Sequence, residues 1–280
     1  MRLATIRTEQ GTRAARVEDG HAVLLPFTDV QQLLRSGEDW HSRAAAAGGE
    51  RLLLADELYA PVVPNPDKIV CLGLNYVSHI EEMGRPRPTH PTLFAKYSGA
   101  LIGAYDPIVL PAVSEEVDWE AELGFVVGKA ARHVSPDRAW EYIAGYTIVN
   151  DVTVRDWQHR TREFLSGKTF EATTPVGPTL VTPDEFAPGS PDLELRCSVD
   201  GSVVQHARTD DLLFKVAEIL SYISTIITLL PGDLVATGTP GGVGAGRTPK
   251  MFMHEDQVLV TAIEGLGEQR NICVKERVHE

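Results

Sequence analysis

Cysteine is scarce. The 280 residues hold three, Cys71, Cys197 and Cys273, an odd count at wide spacing with no C-x-x-C pair. That argues against a disulfide framework and against a thiolate zinc site. Each lies in an apolar or alternating run, which predicts buried free thiols. Long apolar runs are missing too. None approaches the roughly 18 residues that span a bilayer, and the start Met1 to Ile6 opens no apolar core of an export signal. A cytoplasmic protein is expected. Positive charge is also short: 26 Lys and Arg against 39 Asp and Glu leave a formal net charge of −13, with no dense basic patch. Such a field repels nucleic-acid phosphates and anionic membranes, so neither is expected as a partner. A small anionic substrate is still compatible, because a metal and one or two cations nearby outweigh a distant field. There is no internal repeat and no low-complexity tract.

What remains is an ordinary globular composition, 43% hydrophobic and 23% charged. The length suits one sizeable domain with a small appendage. Short β-like runs around Leu3, Ala14 and Val23 are separated by turn signals at Gly11 and Asp19-Gly20, followed by a short helix from Val30 to Ser36. The stretch Ala60-Pro61-Val62-Val63-Pro64-Asn65-Pro66 interrupts regular structure. It divides a small N-terminal domain, residues 1–60, from a main domain, residues 66–280. Strands dominate the main domain, including a continuous one over Val117–Val127 and another at Tyr146–Val149. Asp200-Gly201 marks a β-hairpin. Helices are expected at Val77–Met83, Pro136–Tyr142 and Leu212–Leu229. Many strands without regular βα alternation point to a closed or rolled, mostly β system with helices at its edges.

In a strand, alternate side chains share a face. Over Val117–Val127 this puts Asp118, Glu120 and Glu122 together. One reading is a solvated acidic edge strand. The other is a cation site, because buried carboxylates at this spacing raise one another's pKa unless a cation lies among them. The apolar continuation Phe125-Val126-Val127 favours a core strand, and the run Tyr146–Val149 delivers Asp151 at a second strand end. Oxygen-only ligands point to Mg²⁺, Mn²⁺ or Ca²⁺ rather than zinc.

If Val77 onward is helical, His79 and Glu82 stand at i and i+3, a spacing suited to a proton-transfer pair and equally to an incidental surface contact. The loop Thr237-Gly238-Thr239-Pro240-Gly241-Gly242-Val243-Gly244 matches neither a dinucleotide fingerprint nor a P-loop, and no helix pattern follows it. It reads as a rigid turn that brings backbone and Thr239 near a small ligand.

Taken in order, several segments resemble the fumarylacetoacetate hydrolase family: Gly73-Leu74-Asn75-Tyr76-x-x-His79, Val117-Asp118-Trp119-Glu120-x-Glu122, Asn150-Asp151-Val152-Thr153-x-Arg155-Asp156-x-Gln158, Gly167-Lys168-Thr169-Phe170, Pro231-Gly232-Asp233 and Thr237-Gly238-Thr239-Pro240. The resemblance spans residues 66–275. It implies a mostly β, mixed β-sandwich roll with a small N-terminal α/β appendage, and a homodimer. It implies Mg²⁺ or Mn²⁺ held by Glu120, Glu122 and Asp151, catalysis by His79, Glu82 and Lys168, and substrate contacts from Gln158, Lys168 and Thr239. Arg155 falls on a recurrent position suited to a structural ion pair or to the substrate. The expected reaction is hydrolysis of a C–C bond in a 2,4-dioxo acid, an acylpyruvate such as fumarylpyruvate, with oxaloacetate decarboxylation or 2-hydroxy-dienoate isomerisation as alternatives. A metal-stabilised binding protein would keep the carboxylates but need neither His79 nor Glu82. The chain departs from the family at Thr169 and Glu171, where Ser and Asp are usual, and at His254-Glu255, where Pro-Gly is usual.

Overall fold

Alternation at the N-terminus folds into an antiparallel meander of Arg2–Thr8, Gly11–Glu18 and His21–Leu24. Asp19 and Gly20 turn it with φ of 47° and 73°. The computed structural model describes residues 1–277 apart from Met83, Arg85, Pro188 and Ser190, and excludes the side chain of Glu82.

The meander does not stand apart. Arg2–Thr8 also pairs antiparallel with Thr174–Val181, through Leu3 opposite Leu180. The N-terminal strands therefore extend the large sheet of the main body. Among the described residues that sheet has eleven strands, and it runs on from Thr174–Val181 through Ile143–Asn150, Ala121–Val127, Leu234–Ala236 and Ile69–Gly73 to Thr92–Lys96. The connector is tied to both sides: the Ala60 amide donates to Thr5 O, and the Val62 amide to Val176 O.

A second, five-stranded sheet contains Glu194–Val199, Ser202–Arg208, Val258–Ile263, Gly267–Lys275 and Ile108–Leu110. Its first two strands form the hairpin expected at Asp200-Gly201, both residues having left-handed φ. Between the sheets lie Trp119, Leu123, Phe125 and Ile148 from one side and Leu195, Cys197, Leu259 and Ile263 from the other. The opposite face of the large sheet packs Val126, Val149 and Leu180 against Leu33 of the helix Val30–Arg35. With both faces covered, Ala121–Val127 and Ile143–Asn150 are buried along their whole length.

The helix Val216–Ile226 buries Val216, Ile219, Leu220 and Ile223, the i, i+3, i+4, i+7 stripe of an amphipathic helix. It is shorter than the expected 212–229. Lys215 caps it, with its amide bonded to Glu218 Oε2 at 2.8 Å, while the preceding Leu213 amide is drawn away to Asn75 O. Pro136–Tyr142 is a 3-10 helix. The strand expected over Val117–Val127 is broken at Trp119 and Glu120. Val117–Asp118 leaves the large sheet to pair with Thr153–Val154, and the main strand resumes at Ala121. No helix among the described residues is long and apolar enough to cross a membrane. The three cysteines are buried and free.

Candidate metal centre and active site

Two neighbouring strand ends build the floor of the site. Ala121 is opposite Asn150 and Glu122 opposite Val149 in the antiparallel pair. Just past that pairing, the Asp151 amide donates to Glu120 O at 2.8 Å and Asn150 Oδ1 accepts the Glu120 amide at 3.0 Å. These bonds set Glu120 beside Asp151, with Glu122 one strand repeat away. One carboxylate oxygen from each of Glu120, Glu122 and Asp151 lies within 4.8 Å of the others, and all three residues are buried.

Three cations surround them. Lys168 Nζ donates to Glu120 Oε2 and to Asp151 Oδ2, both at 2.6 Å. Lys96 Nζ donates to Asp151 Oδ1 at 2.6 Å and to Val152 O at 3.1 Å. The Arg155 guanidinium spans Glu120 Oε1 at 2.7 Å and Asp118 Oδ2 at 2.8 Å. Burial alone would raise the Glu120 carboxyl, but Lys168 and Arg155 outweigh it and hold it down at about 2. Burial would lower Lys168, but Asp151 and Glu120 hold its ammonium charged, above the ordinary lysine range.

Glu122 is different. Its Oε2 accepts the Gly238 amide at 2.8 Å, while Oε1 is buried with no hydrogen-bond partner among the described residues. Burial, then the charges of Asp151 and Glu120, push its carboxyl well above the usual range. Setting aside the Asp118–Arg155 pair, three carboxylates face two ammonium groups, so with all three ionised one negative charge is uncompensated in a buried place. The orphaned oxygen, the surplus charge and the oxygen-only donor set fit a hard divalent cation. The hydrogen-bonded oxygens of Glu120 and Asp151 each keep a further lone pair for it.

Above this floor lies a cavity of about 530 Å³. Its lining includes His79, Glu120, Arg155, Gln158, Lys168 and Thr239, so six residues singled out in the sequence meet in one place. Glu122 and Asp151 lie beneath, fully buried. His79 is carried on the helix Val77–Glu82 and is 8% exposed. The side chain of Glu82 lies outside the described residues. Gln158 Oε1 accepts from Arg155 at 3.0 Å. The Thr239 hydroxyl donates to Ala121 O and accepts from Gln205, both at 2.9 Å, so it braces the glycine-rich loop against the strand that carries Glu122.

Asp118 does not join Glu120 and Glu122 on one face, as continuous alternation requires. The break at Trp119 turns it away, and it accepts from Arg155 and from the amides of Gly244 and Ala245. It thereby ties the glycine-rich loop to Arg155, and through Arg155 to Glu120. Gly238 is needed where it stands: φ is 99°, a Cβ would lie 2.9 Å from Asn75 Cβ, and its amide fixes Glu122. Sequence reasoning missed Lys96 and the bracing role of Asn75, whose side chain bonds Thr237 O and both backbone groups of Phe214. The available signal for Lys96 was a lone lysine closing the run Thr92-Leu93-Phe94-Ala95.

Residues 68–274 match the family model described as fumarylacetoacetate (FAA) hydrolase C-terminal. The human mitochondrial oxaloacetate tautomerase FAHD2A is 41% identical over 248 residues, covering 87% of this chain and 78% of that protein. The 2-hydroxyhepta-2,4-diene-1,7-dioate isomerase from Mycobacterium marinum superposes with a TM-score of 0.82 at 33% identity, over 99% of this chain and 100% of that one. Maleylpyruvate hydrolase from Sphingobium sp. SYK-6, solved with manganese(II) and pyruvate, does so with a TM-score of 0.81 at 28% identity, over the same shares. This chain belongs to the fumarylacetoacetate hydrolase family of enzymes.

Proposed function

We propose that the protein is a Mg²⁺- or Mn²⁺-dependent enzyme that moves a proton between the keto and enol forms of a 2-oxo acid, with oxaloacetate as the substrate. The observation that carries this reading is the surplus buried negative charge of Glu120, Glu122 and Asp151, placed under a cavity whose wall holds His79 and Lys168. The 41% identity to a protein named oxaloacetate tautomerase supports the choice of reaction, and the manganese in maleylpyruvate hydrolase supports the choice of cation.

Glu120, Glu122 and Asp151 would hold the cation, which supplies Lewis-acid stabilisation for negative charge growing on the 2-oxo oxygen. In the tautomerisation a C3–H bond breaks and an O–H bond forms on the former 2-oxo oxygen. His79 is the wall residue suited to carry that proton, since imidazole both accepts and donates near neutral pH. Lys168 is kept charged by two carboxylates, so it serves as a hydrogen-bond donor to developing negative charge rather than as a base. The apolar wall formed by Leu72, Phe94 and Val243 limits water around the reacting carbons.

A second reading is hydrolysis of the C3–C4 bond of an acylpyruvate. It is favoured by the i, i+3 placement of His79 and Glu82 on one helix, with His79 taking a proton from water, and by the likeness to maleylpyruvate hydrolase. The separating experiment follows loss of the enol absorbance of oxaloacetate and release of pyruvate from oxaloacetate and from fumarylpyruvate, in parallel. Metal-dependent enol loss without pyruvate supports the tautomerase. Pyruvate from fumarylpyruvate supports the hydrolase, and pyruvate from oxaloacetate a decarboxylase.

A further inference from the structure

The cations that touch the cavity differ in what they already bond. Lys168 and Arg155 are buried on the floor, and each is shared between two carboxylates. Lys250 also lines the cavity, but it is exposed and makes no hydrogen bond or ion pair with any described residue. It therefore stands where the cavity meets solvent, whereas Glu120, Lys168 and Arg155 are buried.

The backbone holds it there. The chain leaves the glycine-rich loop, and the Met251 amide returns to Gly244 O at 3.1 Å. The crossing is so close that a Cβ on Gly244 would overlap Met251 O and stand 2.8 Å from Asp118 Oδ1. Asp118 fixes the same loop through the amides of Gly244 and Ala245, and Arg247 clamps it to Val204 O at 2.6 Å. Lys250 thus follows a loop anchored to the residues that position Glu120. Leu72, Leu74, Phe94, Phe164 and Val243 give the cavity lining an apolar part. At about 530 Å³ the cavity has room for a 2-oxo diacid.

We infer that Lys250 is a specificity-determining residue, which receives a second carboxylate at the far end of a 2-oxo diacid whose 2-oxo acid end lies over Glu120, Glu122 and Asp151. The inference rests on the functional reading above for which end of the substrate faces the floor. It adds that the site selects dianions over monoanions, and that this selection is made at the mouth.

The test compares two non-reacting ligands of equal chain length that differ in one terminal carboxylate: 2-oxoglutarate and 2-oxopentanoate. Binding of each to the full-length, Mg²⁺-loaded protein is measured by calorimetry for the native chain, Lys250→Met and Lys250→Arg. The native protein is expected to bind the diacid about tenfold more tightly at low salt, as one charge-assisted hydrogen bond allows. The margin shrinks as ionic strength rises, because Lys250 is exposed. Lys250→Met equalises the two ligands by weakening only the diacid, and Lys250→Arg restores the preference. Equal or undetectable binding of both ligands by the native protein overturns the inference, and so does a preference that survives in Lys250→Met. Because the readout is binding, failure of the tautomerase reading shows separately, as absence of metal-dependent enol loss by the native enzyme.

Discussion

Lys168 Nζ stands 2.6 Å from Asp151 Oδ2, although the two are seventeen positions apart in the chain. The same ammonium bonds Glu120 at the same distance, so one lysine bridges two of the three carboxylates that would hold a metal. A cation beside a cation site opposes metal binding but assists an anionic transition state. Lys168→Met should therefore bind Mg²⁺ at least as tightly as the native protein, while kcat falls about 10²-fold, the scale of losing one oriented donor. Metal titration followed by calorimetry, alongside steady-state kinetics, checks both halves.

Glu122 gives the pH dependence. Its folded-state pKa is raised above the unfolded value by burial and by Asp151 and Glu120. Stability from this group in the metal-free protein is thus fully present below the ordinary glutamate range, and is lost as pH rises from there towards the folded value. Tm of the EDTA-treated protein should fall over that window, and Glu122→Gln should flatten the fall. At constant pH, Mg²⁺ at 100 times its Kd should stabilise the native protein by about 2.7 kcal/mol and the variant by much less. Thermal melts across pH, with and without Mg²⁺, decide it.

His79 lines the cavity but is not among the three carboxylates. His79→Ala should lower kcat by about 10²–10⁴-fold and leave the Mg²⁺-induced rise in Tm intact. If the variant keeps native turnover, His79 is not the proton carrier. If it loses the Mg²⁺ response, the residue acts on the metal site instead.

The pair Asp118–Arg155 is a structural tie with both members buried. Arg155→Met leaves the fully buried Asp118 without its guanidinium, which should cost about 3–5 kcal/mol. Asp118→Asn in the same chain should recover part of that loss, because the uncompensated charge is gone while the side-chain oxygen still accepts from Gly244. Denaturant unfolding of the two single variants and the double variant measures the coupling.

The clustering of the three carboxylates proposed to hold the metal was legible because local rules place them. Glu120 immediately precedes a buried strand, Glu122 is that strand's second residue, and Asp151 follows the strand paired with it. Asp118 has the same parity, yet local alternation misplaces it, since the strand breaks at Trp119 where Val117–Asp118 leaves for Thr153–Val154. Lys96 was invisible because its partner Asp151 is 55 residues away, and nothing near a lysine in sequence announces a distant carboxylate. The same applies to the first strand. Its alternation predicts a strand, but its pairing with Thr174–Val181 is set by the packing of Leu3 and Leu180 in one core. Periodicity speaks for faces; partners come from tertiary contact.

The most direct test of the account is the rate of enol-to-keto conversion of oxaloacetate by the EDTA-treated, full-length protein, before and after Mg²⁺ is added, beside Glu122→Gln treated identically. The account predicts that Mg²⁺ switches on acceleration over the uncatalysed rate in the native protein, with no pyruvate released, and fails to do so in the variant. Acceleration that ignores EDTA, or that is equal in Glu122→Gln, would contradict it.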